Sequence, residues 1–364
     1  MASLTLDTVS KSYGRTRALS EISLSIADGE FFVILGPSGA GKTTTLKSVA
    51  GLEPIDAGSV HIGGTDMTAV EPYRRDVAMA FESYALYPQK TVYDNLASPL
   101  RSGRTGRYTP EQQRTRITEV TDTLGIGHLL ERFPRELSNG QRQRVALGRV
   151  LVRPAGAYLL DEPLSHLDAK LRAAMRAELK QLGAMSSTTT LYVTHDYQEA
   201  LALGDRVAVL REGRVVQVGT AAEIWSRPVD TFVARAFGQP EMTLLAATVD
   251  GGRIRTADGT LDAAAPAGLD RGPVLLGVRP RALVLGETDG ALRVRGTVRL
   301  AERLGRLVEL TVHSGDTDLV AVVASVDAPA EGSTVTLSVP PGEVHVFVGD
   351  RRWGSVAGKE DHDA

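Results

Sequence analysis

Residues Gly36-Pro37-Ser38-Gly39-Ala40-Gly41-Lys42-Thr43-Thr44 follow directly on the apolar run Phe31-Phe32-Val33-Ile34-Leu35. The spacing is G-x-x-x-x-G-K-[ST], a strand running into a glycine-rich loop that opens a helix. Glycines at 36, 39 and 41 let the backbone curl tightly enough to aim successive N–H groups at phosphate oxygens. The helix starting near Lys42 adds the positive end of its dipole. The Lys42 ammonium can reach the β- and γ-phosphates of a nucleotide, and the Thr43 hydroxyl can ligate Mg2+. The strand before the loop and the apolar Leu46, Val49 and Ala50 after it favour this reading over a plain glycine-rich turn.

The rest of the composition narrows the class. A chain of 364 residues has room for two or three domains, and its 42% apolar content is ordinary for a globular protein. With 41 basic and 44 acidic residues the net charge is -3, which provides no global field for nucleic acid. The absence of cysteine excludes disulfides and cysteine-ligated zinc and suits a reducing compartment. The start, Met1 to Asp7, has neither the basic nor the apolar region of a signal peptide. No uncharged apolar run approaches the ~20 residues that span a bilayer.

In chain order, Leu4–Val9 and Glu21–Ile26 are expected as short strands around the loop Lys11-Ser12-Tyr13-Gly14. Tyr13 is either an ordinary half-buried loop aromatic or, placed shortly before a phosphate loop, a platform for an adenine ring. Ser59–Ile62 reads as a hairpin strand, and Val77–Phe81 as a buried strand ending at Glu82. Tyr84-Ala85-Leu86-Tyr87-Pro88 is an apolar, aromatic loop, either tucked under a neighbour or offered to a partner. Residues from about 98 onward are Arg-rich and helical in spacing through Ile117, Val120 and Leu124, and Gly125-Ile126-Gly127 stops that helix. The mostly helical insertion, about 98–152, ends in Leu137-Ser138-Asn139-Gly140-Gln141 and a helix from about Arg142 to Val152. Ser138 is a candidate N-cap, which makes a second anion-binding feature there.

Ala157-Tyr158-Leu159-Leu160-Asp161-Glu162 is a buried strand with two carboxylates at its C-terminal end, where open parallel sheets place their chemistry. Asp161 is a ligand for Mg2+ alongside Thr43, and Glu162 a base that polarises an attacking water. Leu191–Thr194 is another buried strand, with His195 at its tip. Hairpin strands Val207–Leu210 and Val215–Val218 follow, then a closing helix from Pro228 to Phe237. From about residue 240 the texture changes to short alternating strands: Leu292–Leu300, Leu307–Val312, Leu319–Val323, Thr334–Val339 and Val344–Val348. They read as a small β-barrel. Its strands carry few aromatics to stack bases on, which argues against nucleic acid. The tail from Trp353 turns polar and acidic and is expected to be disordered over 353–364.

The succession of phosphate loop, strand-end Glu82, Leu137–Gln141, Asp161-Glu162, Ser165-His166-Leu167-Asp168 and His195 resembles the ATP-binding-cassette (ABC) ATPases over the first ~235 residues. The five-residue signature separates that family from other P-loop proteins, and the similarity is closest to the nucleotide-binding subunits of bacterial carbohydrate importers of the maltose and glycerol-phosphate type. The fold so implied is an α/β P-loop NTPase cassette, residues 1–237, with a helical subdomain. It is followed by an OB-like, TOBE-type regulatory β-barrel, residues 238–352, within which Leu276-Gly277-Val278-Arg279-Pro280 resembles the start of the regulatory OB-type domain of carbohydrate-importer ATPases. A plain dimerisation module is the other reading of that domain.

The resemblance further implies that two cassettes, identical or different, close head to tail. Each ATP lies between one phosphate loop and the opposite Ser138-Asn139-Gly140-Gln141. Asp168 communicates across that interface, His195 contacts the γ-phosphate, and Tyr84, Ala85, Leu86 and Tyr87 press against transmembrane permease subunits. A separate substrate-binding protein selects the cargo, a sugar or polyol, and the subunit works from the cytoplasmic face of the membrane. Two positions depart from the family pattern. Glu82 stands where a glutamine normally meets Mg2+ and water, and Asn139 stands for the signature's first glycine. Glu82 still offers oxygen to a metal but adds negative charge beside Asp161 and Glu162. These departures keep a second reading open: a weakly hydrolysing partner of a second, more active ATPase subunit.

Overall fold

The structure, a computed structural model, describes residues 2–81, 83–101, 108–165, 167–186, 188–257, 261–288 and 292–356. The chain divides into two compact units, Met1–Ala221 and Ala222–Ala364.

The first unit begins with a hairpin, β1 (Leu4–Tyr13) and β2 (Thr16–Ile26). The strands run to the turn at Gly14, so Lys11–Tyr13 lie in β1 and not in the expected loop. Three register shifts along β1, with Thr8 at φ 50°, absorb the mismatch and let a polar stretch stay in the ladder. Next come β3 (Phe31–Leu35), α1 (Lys42–Ala50), β4 (Ala57–Ile62), β5 (Thr65–Asp66) and β6 (Val77–Ala80). The helices α2 (Val92–Arg101), α3 (Pro110–Thr123) and α4 (Asn139–Leu151) make up a helical insertion that begins at Val92, ahead of the expected start near 98, and its last helix begins at Asn139, ahead of the expected Arg142. The unit closes with β7 (Ala157–Asp161), α5 (Ala169–Ser186), β8 (Thr189–Thr194), α6 (Tyr197–Leu203), β9 (Arg206–Arg211) and β10 (Arg214–Gly219).

These strands make two sheets. One is antiparallel, in the order β2-β1-β4-β5; the other runs β10-β9-β3-β8-β7-β6 and is parallel except at β10. β3, β7 and β8 are buried along their whole length, which is why their centres read as apolar runs and not as alternation, with polar residues only at the ends of β7 (Asp161) and β8 (Thr189, Thr190, Thr194). The apolar face of α1 (Leu46, Val49) shares one core with Leu6 and Ile22 of the first sheet and Ile34 and Leu191 of the second. Its C-terminal end is closed by buried Arg75, which donates to Ser48 O (2.9 Å) and Val49 O (3.0 Å). With α1 held by this core and by Arg75, the phosphate loop between β3 and α1 has its exit direction set.

The second unit opens with α7 (Ala221–Ser226) and α8 (Thr231–Ala236). Two sheets follow, in the orders β13-β12-β11-β14-β20-β21 and β15-β19-β16-β17-β18. Their strands are β11 (Thr243–Asp250), β12 (Arg253–Thr256), β13 (Asp262–Ala264), β14 (Arg271–Val278), β15 (Val284–Leu285) and β16 (Leu292–Leu304), then β17 (Leu307–Ser314), β18 (Thr317–Ala324), β19 (Thr334–Val339), β20 (Val344–Val348) and β21 (Arg351–Ser355). The sheets curl as half-barrels around one core that runs from Leu245 to Val356. Two boundary expectations shift. α7 and α8 belong to this unit and not to the cassette, because Asp230 bridges to Arg351 and Ala234 packs with Met242 and Phe347. Trp353 is also no start of a tail: β21 pairs with β20, and Val356 is buried beyond it. Residues 357–364 lie outside the described residues.

Candidate active site

The C-terminal ends of β3, β7 and β8 converge, since these strands are parallel neighbours in the same sheet. β3 delivers the loop Gly36–Gly41. Gly41 has φ 102°, and a Cβ there would lie 2.6 Å from Ala18 O, so both conformation and space require glycine. Pro37, Ser38 and Gly39 are exposed at the loop's crest, while Ala40 is buried and its carbonyl accepts from Gly213 N at 3.0 Å. Thr44 follows Thr43 in the first turn of α1.

Lys42 is only 5% exposed, so its ammonium must be compensated by oxygen. It donates to Gly36 O (2.9 Å) and Pro37 O (3.0 Å) and pairs with Glu162 Oε1 at 3.2 Å. The other Glu162 oxygen, Oε2, lies 2.7 Å from His195 Nδ1. Thr43 Oγ1 donates to Asp161 Oδ1 at 3.0 Å. Five of the residues singled out from the sequence thus stand in one contiguous cluster. Glu162 holds a strained backbone, φ 44°, while its N–H continues the ladder to Val193 O (3.1 Å) and its carbonyl accepts from Ser165 Oγ (2.9 Å). That kink turns the carboxylate away from the strand axis and toward Lys42.

Hydroxyl and carboxylate oxygens at Thr43 and Asp161 are the hard donors that suit Mg2+. Among the described residues no group of three or more His, Asp or Glu side chains forms a closed metal cage. The pair offers two oxygen ligands to such an ion.

Tyr13, 45% exposed, lies near this edge, and burial together with the Glu53 carboxylate pushes its hydroxyl pKa up. Lys11 Nζ stands 5.4 Å from the ring centroid and pairs with Glu53 at 3.3 Å, which fixes one side of the ring.

The other predicted residues lie elsewhere in the unit. Ser138 and Gln141 form a reciprocal capping box at the start of α4: Ser138 Oγ accepts from Gln141 N (3.3 Å) and Gln141 Oε1 from Ser138 N (3.0 Å). Asn139 and Gly140 are the first two residues of that helix, and Asn139 Oδ1 accepts from Arg142 at 3.4 Å. Asp168 caps α5 through Leu171 N (2.9 Å). Tyr84, Ala85, Leu86 and Tyr87 form the loop between β6 and α2. Buried Asn95 ties it down by accepting from Tyr87 N (2.8 Å) and donating to Tyr87 O, Lys90 O and Thr91 O. Arg149 of α4 donates to Ala85 O and stacks on the half-exposed Tyr87 ring. Glu82 lies outside the described residues, as does His166.

Three residues at the site escape a reading of the sequence. Glu199 is buried and accepts from Tyr192 Oη (2.8 Å) and Thr194 Oγ1 (2.7 Å), and burial raises its pKa. Arg172 joins Leu167 O to Asp196, and Gln143 donates to Pro163 O. Only Glu199 leaves a trace, the D-x-x-E spacing from Asp196 at a helix start.

Residues 19–165 match the ABC transporter family and residues 276–347 the TOBE domain family. An sn-glycerol-3-phosphate import ATP-binding protein, UgpC, from Ruegeria pomeroyi is 43% identical over 95% of this chain and 97% of its own length. The chain belongs to the ABC transporter family. Other ABC relatives are the trehalose/maltose import ATP-binding protein MalK of Thermococcus litoralis and the sulfoquinovosyl glycerol transport ATP-binding protein SmoE of Agrobacterium fabrum. Each is 43% identical over 95% of the chain and 98% of its own length. Among solved structures, a dimeric ABC cassette in a post-hydrolysis state with ADP and Pi superposes with TM-score 0.56 at 30% identity, covering 60% of this chain and 98% of that one. The chain is accordingly an ATP-binding subunit with ABC-type ATPase chemistry and a C-terminal TOBE domain.

Proposed function

We propose that this ABC subunit hydrolyses ATP to drive an importer for a sugar or polyol, docked on permease subunits at the cytoplasmic face of the membrane and supplied by a separate binding protein. The observation that carries the reading is the contiguous cluster Lys42–Glu162–His195 with Thr43–Asp161 beside it. In it Lys42 neutralises β- and γ-phosphate charge and Glu162 accepts a hydrogen bond from the attacking water. His195 holds Glu162 from the far side. Thr43 and Asp161 hold Mg2+, which supplies charge neutralisation on the phosphates when bound. Tyr13 stacks on the adenine, its opposite face steadied by Lys11. Ser138–Gln141 offer a capped helix N-terminus to the ATP of a second cassette, and the dimeric cassettes among solved relatives favour a second copy of this chain.

The relatives' cargoes, sn-glycerol-3-phosphate, trehalose or maltose, and sulfoquinovosyl glycerol, are all sugars or polyol derivatives, and this supports the cargo class. Nothing at Asn139 favours the weakly hydrolysing alternative, because its side chain is engaged and the capping box beside it is intact. The test is ATPase turnover of the chain reassembled with its permease and binding protein, with each of these cargoes added. Turnover stimulated by one of them is expected. Stimulation by none, in a complex that still binds ATP, would refute the cargo class.

A further inference from the structure

A pocket beside the Glu162–His195 pair is lined by Ser165, Arg172, Thr194, Asp196 and Glu199 as well as the pair itself. Arg172 sits in the first turn of α5, four residues past Asp168. Its Nη2 donates to Leu167 O (3.0 Å), and its Nη1 meets Asp196 Oδ2 (3.4 Å). Asp196 directly follows His195, and its other oxygen caps α6 by accepting from Gln198 N at 2.7 Å. One planar, permanently charged group therefore joins the loop Leu164–Asp168 to the turn that carries His195.

The same loop supports α4 from its other side. A Cβ added at Gly140 would lie 3.3 Å from Leu167 Cδ2 and 2.7 Å from Leu171 Cδ2, so the first turn of α4 rests on both leucines. Gln143, one turn on, donates to Pro163 O. A shift of this turn meets Leu167, whose carbonyl Arg172 holds. The base of the His195 turn is rigid by comparison: Glu199 fixes Thr194 Oγ1, which itself accepts from Asp196 N at 3.0 Å.

We propose that Arg172 is a positioning residue for ATP hydrolysis, holding the His195 turn in register with the loop Leu164–Asp168 so that movement of the first turn of α4 alters how His195 meets Glu162. This rests on the assignment of Glu162 and His195 as the hydrolytic pair. The Arg172–Asp196 ion pair is partly exposed, with side-chain exposures of 32% and 18%, so it contributes little to folding stability. Where placement governs rate, the same contact matters far more.

The test uses the purified full-length chain with Arg172→Ala, Arg172→Lys, Asp196→Asn, the Arg172→Ala/Asp196→Asn double variant, and Glu162→Gln. Asparagine retains the α6 cap while removing the charge. Arg172→Ala should lower kcat about tenfold while KM for ATP, the ATP dissociation constant and the melting temperature stay near wild type. Lysine should restore part of the rate. Asp196→Asn should match the alanine loss, and the double variant should be no slower than either single one. Unchanged kcat in Arg172→Ala, or losses that multiply in the double variant, overturns the proposal. Should Arg172→Ala not fold, Asp196→Asn at wild-type kcat overturns it equally. Retained turnover in Glu162→Gln would remove the underlying assignment. Abolished turnover there, with normal turnover in Arg172→Ala, would overturn this inference alone.

Discussion

Lys42 and His345 are both buried basic side chains, and their surroundings are opposite in charge. Lys42 is surrounded by two carbonyls and the Glu162 carboxylate, all of them oxygen partners for its ammonium. His345 of β20 is packed among cations. Burial pushes its pKa down to about 4, and the Arg352 and Arg279 guanidinium groups push the same way. Arg352 Nε donates to His345 Nδ1 at 3.4 Å, which suits the neutral ring. Because the folded value lies below the ordinary 6.5, the unfolded chain binds the extra proton between pH 6.5 and about 4. Stability should therefore fall as pH drops through that window, by up to about 3 kcal/mol from this residue. His345→Gln should flatten that part of the melting-temperature profile of the second unit. An unchanged slope would show that other groups control it.

The loop Tyr84–Pro88 shows what an element can do that its own sequence does not announce. Its aromatic, proline-broken composition left open whether it was tucked in or offered outward. The structure does both: the backbone is pinned by Asn95 and Arg149, and the Tyr87 ring stays half exposed between Lys90 and Arg149. Asn95→Ala removes four hydrogen bonds from a fully buried position and should cost about 2 kcal/mol of local stability. ATP binding by the variant should remain, since the phosphate loop is separate, while co-purification with the permease subunits should drop several-fold. Normal permease capture would show that this loop is not the docking element.

At the scale of elements, the parallel strands and the phosphate loop were legible because their chemistry leaves few alternatives. A strand buried on both faces reads as a near-continuous apolar run, as Phe31–Leu35 does, and Gly41 has to be glycine. β1 runs past its sequence signal because Lys11 and Ser12 have turn character, and only the register shifts against β2 keep them paired. β11 and β14 leave a weak trace in the sequence because Ala246-Ala247 and Gly272-Pro273 carry little β preference; their pairing to each other and to β20 makes them strands. Arg172 and Glu199 were illegible for a related reason. Their partners, Leu167, Asp196, Tyr192 and Thr194, become neighbours only once α5 and α6 pack beside β8.

For the whole molecule, the division at Ala221/Ala222 carries a consequence for truncation. Ile224, Val233, Ala234 and Phe237 are buried, and Arg279 of the second unit anchors the segment by donating to Phe237 O and Trp225 O, stacked 3.7 Å from the Trp225 ring centroid. A chain cut after Phe237 keeps these apolar residues without their partners, whereas a cut after Ala221 does not. Both fragments should bind ATP, because every group of the phosphate site precedes either cut, but the longer one should self-associate in sedimentation. A monomeric 1–237 fragment beside an aggregating 1–221 fragment would move the boundary back.

The whole account turns on Glu162, the carboxylate set between Lys42 and His195 on a strained backbone. Glu162→Gln preserves shape and hydrogen bonding but removes the carboxylate proposed to act on the attacking water. In the assembled importer it should bind ATP as the wild type does and hydrolyse it at least about a hundredfold more slowly, the level expected when a general base is lost. Single-turnover release of phosphate measures this directly. Phosphate release at the wild-type rate from the Glu162→Gln importer would contradict the account.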